Sequence, residues 1–225
     1  LYLFGRNNKD DEELIHKTAN FLRQKHIKNS CCVHGIIEIS NICASECSYC
    51  GISPYNKRIP RYRMSPDEVV NTALMAVYEF GFKALVLQSG ESDAYTIDEL
   101  CRMIAEIKKK AAVLICISFG EVGLDNLKKL FEAGARALLM RFETSNPELY
   151  KKTHTGKILD TRLSHIKEAA RLGFLIMTGA LIGIPGQSTE DIINDILLAK
   201  ELGAEMYSFG PFMPHPDTPL GSYPA

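Results

Sequence analysis

Six short, nearly continuous apolar runs recur along this 225-residue chain, each leading into an amphipathic or polar segment. They cover residues 33–40, 84–89, 113–118, 136–142, 174–183 and 205–211. Unbroken apolar runs of this length suit parallel strands covered on both faces; a strand with one wet face would alternate. Between the runs the period becomes helical, as in Val69, Val70, Ala73, Leu74, Val77 and Phe80. Ser65-Pro66-Asp67-Glu68 combines a capping box with a proline at the first helical position. Thr96 to Glu99 and Ser145 to Glu148 repeat the box, and Ser188 to Asp191 is a near relative. Gly81, Gly134, Gly173 and Gly203 stand where helices are expected to stop. Six strand–helix steps in one direction predict an α/β fold, a parallel (β/α) barrel of the TIM type. Residues 1–32 are set apart as an N-terminal helical extension, with a helix from about Asp11 to Lys28, and residues 33–225 as the barrel core. At about 30 to 36 residues per step, two more steps would need roughly 60 to 70 residues, so a truncated barrel lacking its C-terminal strands is expected.

Composition narrows the function. A net charge of -1 with 46% hydrophobic residues argues against a disordered chain and against a partner held by phosphate charge. A small-molecule substrate is expected, with no nucleic acid and no membrane. The longest uncharged stretch, between Arg171 and Glu190, carries Thr178, Pro185, Gln187 and several glycines, so it reads as a strand and loop. Residues 1–5 are too short for the apolar part of a secretory signal. Seven cysteines, an odd number, do not suggest a disulfide framework, and a reduced cytoplasm is expected. Cys31, Cys32, Cys101 and Cys116 read as small buried hydrophobes.

In a (β/α) barrel the chemistry gathers in loops that follow the strands. Here Cys43 to Cys50 follow the first run, Gln88-Ser89-Gly90-Glu91 the second and Ser118-Phe119-Gly120-Glu121 the third. Arg141 and Glu143 close the fourth, two apart on a strand and therefore on one side; Gly183-Ile184-Pro185-Gly186 closes the fifth, and Pro211 to His215 the sixth. Cys43-x3-Cys47-x2-Cys50 offers three thiolates, which zinc or an iron-sulfur cluster would accept. Structural zinc needs a fourth Cys or His nearby, and His34 lies at the far end of the first run. Three thiolates suit a 4Fe-4S cubane with one iron left open for a substrate or cofactor.

The loop resembles the CxxxCxxC signature of radical S-adenosylmethionine (SAM) enzymes, including an aromatic residue, Tyr49, before the third cysteine. The resemblance implies a full or partial (β/α) barrel with a 4Fe-4S cluster on Cys43, Cys47 and Cys50. It also implies SAM on the open iron, cleaved reductively to methionine and a 5'-deoxyadenosyl radical. Gln88, Ser89 and Gly90 occupy the place of the family's Gly-Gly-Glu motif and depart from it, which shifts the expected contacts to Ser89 and the backbone. The resemblance assigns Glu143 to the ribose hydroxyls or the ammonium group, Arg141 or Arg162 to the carboxylate, and Gly183 and Pro211 to the adenine. A plain ion pair for Arg141 and Glu143, a solvated Arg162 and a simple turn at Gly183 stand as alternatives.

Within the superfamily the chain is similar to the biotin synthase-like group, and there to the iron-only (FeFe) hydrogenase maturases of the HydE type. The likeness runs through His34 to Glu38, Arg61 to Met64, Arg141 to Thr144 and the proline-rich stretch from Gly210 to Leu220. It implies a part in maturation of the hydrogenase di-iron centre, with an electron donor such as ferredoxin or flavodoxin. Phe142 and Cys116 depart from the pattern, which has His and Thr there. Phe142 is expected to point away from the cavity, while Cys116, Ser118 and His215 are candidates for touching substrate, an exposed loop being the alternative for His215. His16, His26, His154 and His165 read as ordinary surface or helix residues. Other functions remain open at this point: a methylornithine-forming mutase, biotin synthase-like sulfur insertion, or a non-catalytic metal-binding or electron-carrying module.

Overall fold

The structure, a computed structural model, describes Gly5, residues 8–28 and residues 33–223. Its contacts divide the chain into two units, Leu1–Val33 and His34–Ala225. The first holds α1 (Lys9–Ile27), capped by Asn8 and without a buried side chain. His16 and His26 lie on it, exposed; Cys31 and Cys32 fall outside the described residues.

The second unit runs β1 (Gly35–Ser40), β2 (Glu46–Cys47), α2 (Pro66–Tyr78), β3 (Ala84–Ser89), α3 (Ile97–Lys110), β4 (Leu114–Ser118), α4 (Leu124–Ala133) and β5 (Ala137–Leu139). It continues through α5 (Pro147–Thr153), β6 (His154–Thr155), α6 (Leu159–Leu172), β7 (Leu175–Thr178), β8 (Leu181–Ile182), α7 (Thr189–Glu201), β9 (Met206–Tyr207) and β10 (Gly210–Pro211). The six strands β1-β3-β4-β5-β7-β9 form one sheet, all parallel and in chain order. The order never reverses, so this is the wall of a (β/α) barrel and not a doubly wound sheet. One face buries Ile37, Ile39, Leu85, Leu87, Ile115, Ile117, Leu138 and Ile176 in the main core, which the helices complete. The opposite face carries a small cluster of Val86, Cys116, Ala137 and Met177.

Capping boxes at Ser65/Glu68, Thr96/Glu99 and Ser188/Asp191 start α2, α3 and α7. The box expected at Ser145 is not formed. Asn146 caps α5 instead, its side chain accepting from the amides of Glu148 and Leu149, while the Ser145 amide donates to Asp195. Three expected strands break or stop well inside their apolar runs. Residues 174–183 split into β7 and β8, and residues 205–211 into β9 and β10, with β8 and β10 pairing separately. Gly179 is the cause: a Cβ there would lie 2.2 Å from the Ser208 carbonyl oxygen, so the two backbones touch where a strand residue would need room. The run at 136–142 ends as a strand at Leu139, because the Gly179 carbonyl accepts from both Phe142 (3.0 Å) and Glu143 (3.2 Å) and turns the chain.

Among the described residues no helix is long and apolar enough to cross a membrane. The five described cysteines are free thiols.

Candidate active site

The cysteine loop is held by its backbone, leaving the thiols free to face a cavity. The Ala44 amide donates to the Glu91 carbonyl (2.7 Å), and β2 pairs antiparallel with β6, setting Cys47 opposite His154. The Ser48 amide donates to the Thr153 carbonyl, and the Leu220 and His215 amides donate to the carbonyls of Ser48 and Tyr49 (each 2.9 Å). Gly90 completes the cradle: a Cβ there would sit 2.4 Å from the Ile42 oxygen and 2.6 Å from the Cys43 Cβ. Gly90→Ala is therefore expected to cost about 2–3 kcal/mol by overpacking against backbone. Gly156→Ala meets nothing within 4 Å and carries only the cost of its positive φ, about 1 kcal/mol. Thermal melts of the two variants, with iron uptake measured beside them, check the difference; equal melting points would refute the cradle.

Cys43, Cys47 and Cys50 line one cavity of about 350 Å³ at the C-terminal ends of the strands. Burial, with the neighbouring thiols adding to it, pushes Cys47 up to about 12; burial also raises Cys50. Among the described residues no three His, Cys, Asp or Glu side chains converge on a single metal ion. Thiols that share a wall without converging suit a cluster, which takes each sulfur on a different iron.

Tyr49, Gln88, Ser89, Gly90, Ser118, Arg141, Glu143 and Arg162 line the same cavity. Arg141 and Glu143 form an ion pair (3.3 Å) just beyond the end of β5. Glu143 has a left-handed backbone (φ 70°), which costs a non-glycine residue about 1–3 kcal/mol. Its Oε2 is buried with no hydrogen-bond partner among the described residues, and burial raises its pKa against the pull of Arg141 and Arg162. Phe142, between them, is fully buried in the main core and points away from the cavity.

Arg162 is not a solvated helix residue. It is buried on α6, with Nη2 2.5 Å from Glu91 and Nε 3.1 Å from Glu121 and 3.0 Å from the Tyr150 hydroxyl. Lys157 reaches the same two carboxylates at 2.7 and 3.2 Å, and the Ser45 hydroxyl donates to Glu91. Two positive and two negative groups thus neutralise one another, with Glu91 and Arg162 in the cavity wall itself. Gly120 makes room: a Cβ there would fall 1.9 Å from the Glu91 Cγ. Burial alone would raise the pKa of Glu91, but Arg162 and Lys157 bring it from the ordinary 4.5 down to about 2. A depressed folded-state value stabilises the protein above pH 4.5, and that contribution is lost as pH falls toward 2. Thermal melts should show a loss of the order of 3 kcal/mol over this window, and Glu91→Gln should flatten it. An unchanged slope in the variant would assign the acid loss elsewhere.

Four expected residues lie outside the cavity. Cys116 is buried beneath it against Met177, with burial pushing its thiol up to about 12. Gly183 sits in a turn, its amide donating to the Gln187 side chain (2.7 Å), beside a separate cavity of about 650 Å³. Pro211 is exposed on β10, and His215 rests over Gly51 with its Nδ1 accepting from the Asp217 amide. Of the histidines read as ordinary surface or helix residues, His165 does lie on helix α6, but both it and His154 are buried. His154 lines the cavity, and His165 accepts from the Gly123 amide (3.0 Å). The sequence did carry a signal for the carboxylate pair, because Ser89-Gly90-Glu91 and Ser118-Phe119-Gly120-Glu121 repeat a Gly-Glu step after successive strands. Nothing comparable marks Lys157, Tyr150 or His154.

A parallel strand–helix wall whose first loop delivers three thiols to the strand ends defines a (β/α)-barrel protein with a thiol-lined cavity at the C-terminal face of its strands. Residues 37–199 match the radical SAM superfamily, and the chain belongs to it. It is 39% identical over 216 residues to the FeFe hydrogenase maturase subunit HydE of Thermotoga maritima, covering 96% of this chain and 62% of that protein. It is 33% identical over 189 residues to a biotin synthase of a Hydrogenobaculum species, covering 80% and 55%. The crystal structure of methylornithine synthase (PylB) superposes with a TM-score of 0.92 at 26% identity, covering 99% of this chain and 66% of that one. The chain thus spans between about half and two thirds of the length of these relatives. Radical SAM proteins use a 4Fe-4S cluster and SAM.

Proposed function

We propose that the chain carries the cluster- and SAM-binding part of a radical SAM enzyme of the HydE type, active in hydrogenase maturation. The observation that supports this most is a single cavity holding three thiols together with the partnerless Glu143 Oε2. Residues 33–225 form the catalytic core in this reading, with residues 1–32 as an extension, and a reduced cytoplasm as the setting. Cys43, Cys47 and Cys50 hold the cluster. When bound, the cluster and SAM supply one-electron cleavage of the sulfonium and the hydrogen abstraction that follows. Glu143 accepts from the ammonium or the ribose hydroxyls, which would satisfy its open oxygen. Arg141, 31% exposed at the cavity, is better placed for the carboxylate than Arg162, which is 10% exposed and already committed to two carboxylates. Tyr49, Gln88, Ser89 and Gly90 shape the SAM side of the cavity. The family resemblance gives Gly183 and Pro211 to the adenine, although both lie outside this cavity; Ser118 faces a small-molecule substrate, with Cys116 and His215 farther off. A ferredoxin or flavodoxin supplies the electron.

The test is anaerobic reconstitution with iron and sulfide, followed by measurement of 5'-deoxyadenosine after reduction with SAM present. A parallel test expresses the chain in a hydrogenase-producing strain lacking its own maturase. SAM cleavage with restored hydrogenase activity supports the whole reading. Cleavage with methylornithine formed from lysine would move it to a mutase. One zinc per chain and no SAM binding would replace it with a metal-binding module.

A further inference from the structure

We infer that His154 is a positioning residue, whose imidazole Nε2 holds the Tyr49 hydroxyl and so ties the cysteine loop to the charged wall of the cavity. The hydrogen-bond chain fixes its tautomer. The Thr153 hydroxyl lies 2.8 Å from the Leu149 carbonyl and 3.2 Å from the Tyr150 carbonyl, and carbonyls only accept. Its one hydrogen goes there, so its oxygen must accept from His154 Nδ1, 2.9 Å away. Nδ1 therefore carries the ring proton and Nε2 is bare. The Tyr49 hydroxyl, 3.1 Å from Nε2, donates to it. His154 is 2% exposed, so these contacts are made inside the fold.

Three further contacts give this chain its reach. The imidazole stacks on Tyr150 (centroids 4.3 Å apart, planes at 9°), and the Tyr150 hydroxyl accepts from Arg162 Nε. The backbone of His154 pairs with Cys47 through β2 and β6. Tyr49, one residue before Cys50, also rests on Phe212 (centroids 5.6 Å apart). A single side chain thus connects Arg162, through Tyr150, to the residue between two of the three thiols. Tyr49 and His154 both face the cavity, so their geometry shapes the space a cofactor would enter. The functional half of this inference rests on the SAM-binding reading above; the tautomer does not.

Nitrogen-15 spectra of histidine-labelled protein, before reconstitution, should show His154 protonated on Nδ1 and bare on Nε2. The opposite tautomer overturns the inference. After reconstitution, His154→Phe should keep the stack but lose the acceptor, and Tyr49→Phe should keep the ring but lose the donor. Each should weaken SAM binding about tenfold and alter the electron paramagnetic spectrum of the reduced, SAM-bound cluster. The double variant should be no weaker than either single one. SAM affinity within twofold of the parent in both variants would overturn the positioning role. If His154→Phe fails to take up iron, Tyr49→Phe alone decides. Absence of SAM binding in the parent protein would instead sink the proposed function and leave the tautomer result standing.

Discussion

Cys47→Ala should leave the anaerobically reconstituted protein colourless and unable to cleave SAM, with the fold intact. Cys47 makes its structural contribution through the backbone, which pairs with His154 and which alanine can reproduce. Its thiol is half-buried on the cavity wall, so removing the sulfur costs about 1 kcal/mol or less of packing. The cluster fares differently. Loss of contacts that merely support a metal site costs up to about a hundredfold, and loss of one of three ligands should exceed that. Iron and sulfide per chain, 5'-deoxyadenosine yield and the melting curve of the apo protein separate the two effects. Cys101→Ala, outside the cavity on α3, is the matched control and should retain cluster and cleavage. Cleavage within tenfold of the parent in Cys47→Ala would remove the thiols from the mechanism.

What could be read from the chain alone followed from local physics. Apolar runs between capped helices dictate a parallel wall, because only strands buried on both faces tolerate runs such as Ala84 to Leu87. The three cysteines are legible for the same reason: their spacing is local, and one loop presents all of them. The alternation around Phe142 correctly turned it away from the cavity, although its neighbours lie past the strand end, not on it. Long-range contacts were not legible. The break at Gly179 depends on Ser208, a residue 29 positions away, approaching its backbone. His154 looks like any helix-end histidine until Tyr49, 105 residues earlier, is folded against it. Arg162 sits in a helical pattern whose periodicity does not reveal that its face meets two carboxylates from other loops.

That buried cluster carries the second large expectation. Arg162→Met should destabilise the protein by about 3–5 kcal/mol, the usual effect of removing one member of a buried ion pair. The methionine fills much of the same space, so the cost lies in the charges left behind. Glu91 and Glu121, 17% and 8% exposed, would keep only Lys157 between them. At roughly 2–4 °C per kcal/mol for a chain of this size, the melting temperature should fall by about 6–20 °C. Lowering the pH should partly rescue the variant, because protonating Glu91 relieves the imbalance that Arg162 no longer offsets. Adding Glu91→Gln should likewise recover stability, since the two substitutions remove opposite charges in contact and their effects should not add. The parent behaves in the opposite sense, losing stability as Glu91 protonates. A single set of melts at pH 7 and pH 4 across the four proteins tests this inversion. If Arg162→Met melts within 2 °C of the parent at both values, the cluster is a surface arrangement and not the electrostatic floor of the site.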